Sequence, residues 1–273
     1  MASGADLGVL QEASELAVQT AYRAGALLRE RVGTKREIVH KGIVDLVTDA
    51  DRESERLISS ALKEVFPDFR LTGEEGATGA NGSDYGWLID PIDGTTNFAH
   101  GYPHFAVSIC LEYRRIPVVG AVYDPMRDEM FVGVEGQGAT LNDMPIQAST
   151  VVDLIQALGA TGFNYDINAR QEQNAFWSVF NDRVQGLRRD GAAALDAAWV
   201  ACGRLDLFFE NPVNGWDVGA AAVIAREAGA VVTSLAGEAY DTTMNEVLCT
   251  NAPLHDAVVS LIHETRLTRQ NAG

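Results

Sequence analysis

The sequence predicts a layered α/β fold of the α+β type, with mixed sheets. Three observations lead to it. Three apolar stretches near the middle are separated only by short turns, the pattern of an antiparallel meander. Strands and helices alternate through the second half, which puts helices on sheet faces. The 273 residues, 47% hydrophobic and 22% charged, suffice for a large buried core.

Taken in order, residues 9–31 place Leu10, Ala13, Leu16, Ala17, Ala21, Ala24, Leu27 and Leu28 at helical spacing, with Glu and Arg outward. A second helix follows Asp51, with Leu57, Ile58, Ala61, Leu62 and Val65 on one face and Pro67 closing it. Asp51 itself suits the N-cap. A strand over 68–72 leads into Gly73-Glu74-Glu75-Gly76, and a polar, Gly-rich loop covers 76–84. Trp87-Leu88-Ile89 is a short apolar strand that runs straight into acid. Residues 105–112, 116–123 and 128–134 form the meander, with turns at 113–115 and 124–127. Next come a strand (154–160), a helix (168–183), a strand (185–190), an Ala-rich helix (191–203) and a strand (206–210). A helix at 216–229 ends at Gly229, strands at 230–234 and 246–250 follow, and a helix at 253–267 is last. Residues 145–153 are the junction between an N-terminal half of about 1–150 and a C-terminal half of about 151–273. No Pro- or Ser-rich linker marks it, so the halves should pack as one unit over 1–273.

Composition excludes several functions. Acidic side chains number 38 against 21 basic, a net charge of −17, and only three of the cations are lysines: Lys35, Lys41 and Lys63. Such a field repels phosphate backbones and anionic lipid, which argues against direct nucleic-acid or membrane binding. No apolar run approaches the ~18 residues of a membrane span. The N-terminus lacks the basic region of a secretory signal, so a cytoplasmic location is expected. Cys110, Cys202 and Cys249 have neither metal-ligand nor disulfide spacing and read as small buried hydrophobes. His40, His100, His104, His255 and His263 fall in no catalytic pattern and read as surface or structural residues.

The chemistry lies in Trp87-Leu88-Ile89-Asp90-Pro91-Ile92-Asp93-Gly94-Thr95-Thr96-Asn97-Phe98. The strand delivers Asp90 at its end, and Pro91 should stop the ladder there. Asp93, three residues on, can share an ion with Asp90, and the Ile92 carbonyl can turn toward the same cation. Hard oxygen ligands suit Mg²⁺ or Mn²⁺. Gly94-Thr95-Thr96 opens a helical turn whose N–H groups can hold an anion. Cation ligands beside an anion cradle are what metal-assisted phosphoryl transfer needs. Glu74 and Glu75 also follow a strand end, where they are either further ligands or solvated turn acids. Asp217, in Trp216-Asp217-Val218-Gly219, is either a ligand or a first-turn acid favoured by the helix dipole. Two or three divalent ions would offset the repulsion among these carboxylates.

With these segments the chain resembles the inositol monophosphatase family of Mg²⁺-dependent, lithium-sensitive phosphatases. Gly73-Glu74-Glu75, Asp90 through Phe98 and Trp216-Asp217 carry the resemblance. Asp45-Leu46-Val47-Thr48 with Asp51, and Gly191 through Asp196, support it, over roughly residues 35–230. The resemblance implies a five-layered α-β-α-β-α sandwich and a homodimer. It implies that Glu74, Asp90 and the Ile92 carbonyl hold an activating Mg²⁺, and that Asp90, Asp93 and Asp217 hold a second. A third, looser ion would share Glu74; Mn²⁺ would substitute, and Li⁺ and Ca²⁺ would inhibit. Thr95, bonded to Asp51, would orient the attacking water, so Asp51, Thr95 and Glu74 are the catalytic candidates. The backbone of Gly94 and Thr95 would bind phosphate beside Asp93 and Asp217, while Glu210 and Ala193 would face the substrate ring. Lys41 corresponds to a basic residue on a loop that closes over the metals.

The implied reaction is hydrolysis of a phosphorylated polyol such as inositol 1-phosphate. One departure is Gly215, where the family often has Pro before Trp-Asp; Pro212 stands earlier. The loop 211–215 therefore leaves open fructose 1,6-bisphosphate, histidinol phosphate, NADP or a 3′-phosphoadenosine compound as substrate. Arg188 and Arg189 could meet a second phosphate or a partner subunit. A family member acting mainly as a protein-binding regulatory factor is the other reading.

Overall fold

Helix α1 (Leu7–Arg31) begins at Asp6, whose carboxylate accepts from the Val9 N–H, and ends with Arg29 and Arg31 in its last turn. Both ends agree with the helix dipole. The structure, a computed structural model, describes residues 3–33, 38–40, 46–80, 82–163, 166 and 170–272. Lys35, Lys41 and Asp45 lie outside the described residues. After α1, strands β1 (Ile38–His40) and β2 (Leu46–Thr48) pair antiparallel. Helix α2 (Asp49–Val65) starts three residues earlier than expected. Thr48 is its N-cap and Asp51 its third residue, joined in a capping box, so the cap falls on Thr48 and not on Asp51.

The large sheet has seven strands in chain order: β3 (Arg70–Gly73), β4 (Tyr85–Asp93), β5 (Ala106–Tyr113), β6 (Ile116–Asp124), β7 (Glu129–Val134), β8 (Gly138–Leu141) and β9 (Met144–Pro145). β3 runs parallel to β4, and the other neighbours are antiparallel. The expected meander is β5–β7. Pro91 does not end its strand. The pairing of β3 stops at Gly73 opposite Ile89, and the β5 register shifts between Asp90 and Asp93. Pro91 sits in that irregularity, where no neighbour needs the N–H it lacks, and its carbonyl accepts instead from the Ser54 hydroxyl of α2 at 3.1 Å. The short helix α3 (Thr95–His100) follows.

The second sheet has the order β11 (Gly186–Arg188), β10 (Leu158–Thr161), β12 (Leu207–Glu210), β14 (Val247–Asn251) and β13 (Ala230–Thr233). β10 is parallel to β11 and β12, while β14 is antiparallel to β12 and β13, a mixed sheet. Helices α5 (Ala193–Ala201) and α6 (Gly215–Glu227) lie between the two sheets. Helices α4 (Gln171–Asn181) and α7 (His255–Ala272) pack on the outer face of the small sheet. With α1 and α2 on the far face of the large sheet, the layers read α-β-α-β-α.

The central layer explains the Ala-rich sequence. A helix covered on both sides has no polar face, and small side chains let it approach the sheets closely. A Cβ at Gly120 would overlap the Ala220 carbonyl, and one at Gly133 would lie 2.6 Å from Ile224 Cα. Cys110 of β5 and Cys249 of β14 are buried against this layer as apolar filling, and burial pushes the Cys249 thiol up to about 12. Among the described residues no helix is long and apolar enough to cross a membrane.

Candidate active site

The site begins at the irregular end of β4. Asp90 and Asp93 are each only 4% exposed. Asp90 Oδ1 accepts from the Ile92 N–H at 3.0 Å, which curls the backbone around the acid. Gly94 follows with φ +89°, in the left-handed region, and turns the chain into α3. A Cβ there would also meet the Gly191 and His104 carbonyls at 3.1 Å.

Thr95, the first residue of α3, faces α2. Its Oγ1 lies 3.0 Å from Asp51 Oδ1 and 3.1 Å from the Ile92 carbonyl, so one hydroxyl proton is shared between two acceptors. The other Asp51 oxygen, Oδ2, accepts from the Thr48 backbone N–H at 2.8 Å and from its hydroxyl at 2.5 Å. Asp51 therefore closes the capping box of α2 and positions Thr95 at once. Burial raises its pKa, and the bonds from Thr48 and Thr95 oppose that.

Asp93 performs a similar double task across the layers. Helix α5 starts after Ala192, which has no side chain able to cap it. Asp93 Oδ2 supplies the missing acceptor, taking the Leu195 N–H at 3.1 Å. The large sheet thus holds the N-terminus of a helix that belongs to the central layer.

Glu74 arrives from the end of β3, its N–H bonded to the Ile89 carbonyl at 3.1 Å. The turn that carries it rests on a buried acid that the sequence motifs do not include. Glu55 of α2 accepts the Glu75 N–H and the Ala77 N–H, both at 2.8 Å. A Cβ on Gly73 would overlap the Glu55 carboxylate, which accounts for the glycine before Glu74-Glu75. The sequence does carry one signal for it: Glu55 lies four residues after Asp51, on the same helical face.

Asp217 is the third residue of α6, in a capping box in which its Oδ2 accepts from the Asn214 N–H at 2.6 Å. The departure at Gly215 has a local cause, since a Cβ there would lie 2.5 Å from the Thr242 carbonyl. Glu210 ends β12 and folds against Gly162, where a Cβ would overlap its carboxyl.

These pieces enclose one cavity of about 380 Å³. Glu74, Asp90, Ile92, Asp93, Gly94, Thr95, Ala193, Glu210 and Asp217 all line it. Arg189 is the basic side chain among the described lining residues, whereas Arg188 is not among them. Asp51 stands behind Thr95, and Lys41 falls outside the described residues. Asn97 ties two separate segments together: its Nδ2 donates to the His104 and Asp190 carbonyls at 2.7 and 2.8 Å. In the sequence Asn97 stands out only as part of the motif string.

Burial pushes the Asp90 carboxyl well above its ordinary range, and the charges of Glu74, Asp93 and Asp217 push the same way. Burial does the same to Asp93, against the opposing bond from Leu195. Glu210 is raised first by burial and then by Asp217 and Asp196, with Arg189 pulling it down. Converging carboxylates that resist ionisation, in an oxygen-only donor set, fit a hard divalent cation.

Fold and cavity together suit a phosphatase, and comparison with known proteins places the chain in that class. It belongs to the inositol monophosphatase family, whose profile matches residues 9–267. Inositol monophosphatase 3 of Solanum lycopersicum is 41% identical over 265 residues, covering 94% of this chain and 98% of the relative. The inositol-1-monophosphatase of Synechocystis is 40% identical over 259 residues, covering 94% and 90%. The crystal structure of extragenic suppressor protein suhB from Bartonella henselae superposes with a TM-score of 0.88 at 33% identity, covering 92% and 98%.

Proposed function

We propose that this chain hydrolyses phosphate monoesters of small polyols, inositol 1-phosphate foremost, with Mg²⁺. The observation that carries the reading is the convergence of buried Asp90 and Asp93 with Glu74 and Asp217 in one cavity, beside the Gly94-Thr95 turn. Glu74, Asp90 and the Ile92 carbonyl would hold one ion; Asp90, Asp93 and Asp217 would hold another, and a third would share Glu74. Bound there, divalent ions supply Lewis acidity at the phosphate and acidify a water. Mn²⁺ substituting, Li⁺ and Ca²⁺ inhibiting, and a homodimer in the cytoplasm belong to the same proposal.

The chain's own groups set the geometry. Thr95 gives its hydroxyl proton toward Asp51 or the Ile92 carbonyl, which turns an oxygen lone pair to a water placed for in-line attack on phosphorus. Asp51 fixes that hydroxyl. The backbone at Gly94 and Thr95 receives the phosphate, and Glu210 and Ala193 face the polyol across the cavity. Arg189 offsets part of the acidic field at the polyol side.

The test is phosphate release from inositol 1-phosphate, fructose 1,6-bisphosphate, histidinol phosphate and NADP, each with Mg²⁺ and with EDTA. Mg²⁺-dependent preference for inositol 1-phosphate is expected. Preference for another ester keeps the site and changes the substrate; release in EDTA refutes the metal assignment.

A further inference from the structure

A second set of metal-type side chains lies behind the α5 N-terminus, outside the cavity just described. His104, Asp190 and Asp196 each bring one ligand atom to within 4.8 Å of the other two. His104 Nε2 and Asp196 Oδ1 face each other at 3.4 Å, with side chains 4% and 2% exposed. Neither atom has a hydrogen-bond partner among the described residues. A buried ring nitrogen and a buried carboxylate oxygen left this way are costly unless something satisfies both.

Three separate segments bring them together. His104 precedes β5, Asp190 sits in the turn after β11, and Asp196 lies on α5. Asn97 ties the first two, donating to both of their carbonyls. Trp199 stands edge-on to the imidazole, with ring centroids 5.0 Å apart. A tetrahedral ion with bonds of ~2.0–2.2 Å sets neighbouring ligand atoms about 3.3–3.6 Å apart. The His104–Asp196 pair already has that spacing, and Asp190, only partly buried, is the arm that closes. An imidazole with two carboxylates suits zinc and its first-row neighbours, whereas the cavity acids are oxygen-only and suit magnesium. Burial keeps His104 below its ordinary pKa, with Arg127 acting in the same sense and Asp190 and Asp124 against it, and burial pushes the Asp196 carboxyl well above its own range.

We propose that His104, Asp190 and Asp196 form a transition-metal site of the zinc type, separate from the active-site acids, that locks α5 to the start of β5 and to the turn at 190. It does not depend on the proposed phosphatase reaction.

The test uses the whole chain with Asp90→Asn and Asp217→Asn, which remove two of the five carboxylates lining the cavity. The protein is stripped with chelator and equilibrated with Zn²⁺. Expected is one zinc per chain, weakened more than about tenfold by the partly exposed Asp190→Asn and abolished by His104→Gln. In parallel, Zn²⁺ titrated into the unmutated protein labelled with ¹⁵N-histidine should move the His104 ring nitrogens, and Mg²⁺ should not. If His104→Gln fails to fold, Asp190→Asn and the ¹⁵N spectrum decide. Absence of zinc binding, zinc binding indifferent to Asp190→Asn, or His104 nitrogens unmoved by zinc overturns the site.

Discussion

Glu55 allows the candidate site to be perturbed without touching it. The residue is 5% exposed, and its carboxylate accepts two backbone N–H groups, from Glu75 and Ala77, at 2.8 Å each. Bonds of this kind to a charged acceptor are worth about 1.5–3 kcal/mol apiece. Glu55→Gln preserves shape but offers one acceptor oxygen and turns an NH₂ toward the second N–H. Losing one bond and setting two donors face to face costs about 2–4 kcal/mol. The cost falls on the turn that aims Glu74. If Glu74 is a metal ligand, a transfer of about 2 kcal/mol to the metal equilibrium raises half-saturating Mg²⁺ about 30-fold. The assay is phosphate release against Mg²⁺ concentration at saturating substrate, with melting curves alongside. Expected is a Mg²⁺ requirement raised about 10- to 30-fold, with most of the maximal rate regained at high Mg²⁺. A variant that melts earlier while its Mg²⁺ requirement is unchanged would refute the link from Glu55 through the turn to a ligand at Glu74.

Three further outcomes follow from the same geometry. Asp90→Asn should abolish hydrolysis and yet stabilise the chain in EDTA. Asp90 is raised well above its ordinary value, so the folded chain keeps a proton that the unfolded one releases. Stability is then full below the unfolded pKa of about 4 and is lost as pH rises through the folded value. The variant's melting advantage over the parent should therefore widen from acid toward neutral pH and narrow with Mg²⁺; an advantage that shrinks as pH rises contradicts this. Thr95→Ala should lower kcat by about 10²- to 10⁴-fold with little change in KM, whereas Thr95→Ser stays within about tenfold; near-normal kcat for the alanine variant would exclude Thr95 from water activation. Gly120→Ala should cost about 1–3 kcal/mol and lower Tm by about 2–4 °C per kcal/mol, with kcat retained, because the new methyl overlaps the Ala220 carbonyl. An unchanged melting curve would mean that α6 has room to withdraw.

The parts legible in sequence are those with a period or a punctuated string. Helix α1 shows its apolar stripe, the meander shows its turns, and Asp90 through Thr95 stands out because two acids, a Pro and a Gly at a strand end are hard to explain otherwise. Strands β8 and β9 are too short to show a period; β8 exists because β7 offers it an edge, and β9 because β8 does. The continuation of β4 through Pro91 depends on β3 stopping at Gly73, a tertiary fact. Glu55 is not legible as a buried residue because an acid on an amphipathic helix ordinarily faces water; only the backbone of the 73–77 turn makes burial favourable there. Asp196 is the converse. A lone charge in the apolar run from Ala192 to Ala201 has no local reason, and its partners come from segments ahead of it in the chain.

A common device keeps the acids together. Asp51 closes the capping box of α2, Asp217 closes that of α6, and Asp93 caps α5, whose own N-cap is an alanine. Asp90 is tied to its own turn through the Ile92 N–H. Mutual repulsion favours swinging any one of them away, but doing so uncaps a helix or opens the turn, at about 1 kcal/mol or more each. Because Asp93 reaches from the large sheet to the central layer, its release would also loosen the contact between those layers. The cluster is therefore preorganised by bonds that have nothing to do with a ligand. For the same reason Asp51 and Asp217, read singly in the sequence, look like ordinary helix-start residues, and their convergence with the Asp90–Asp93 string distinguishes them.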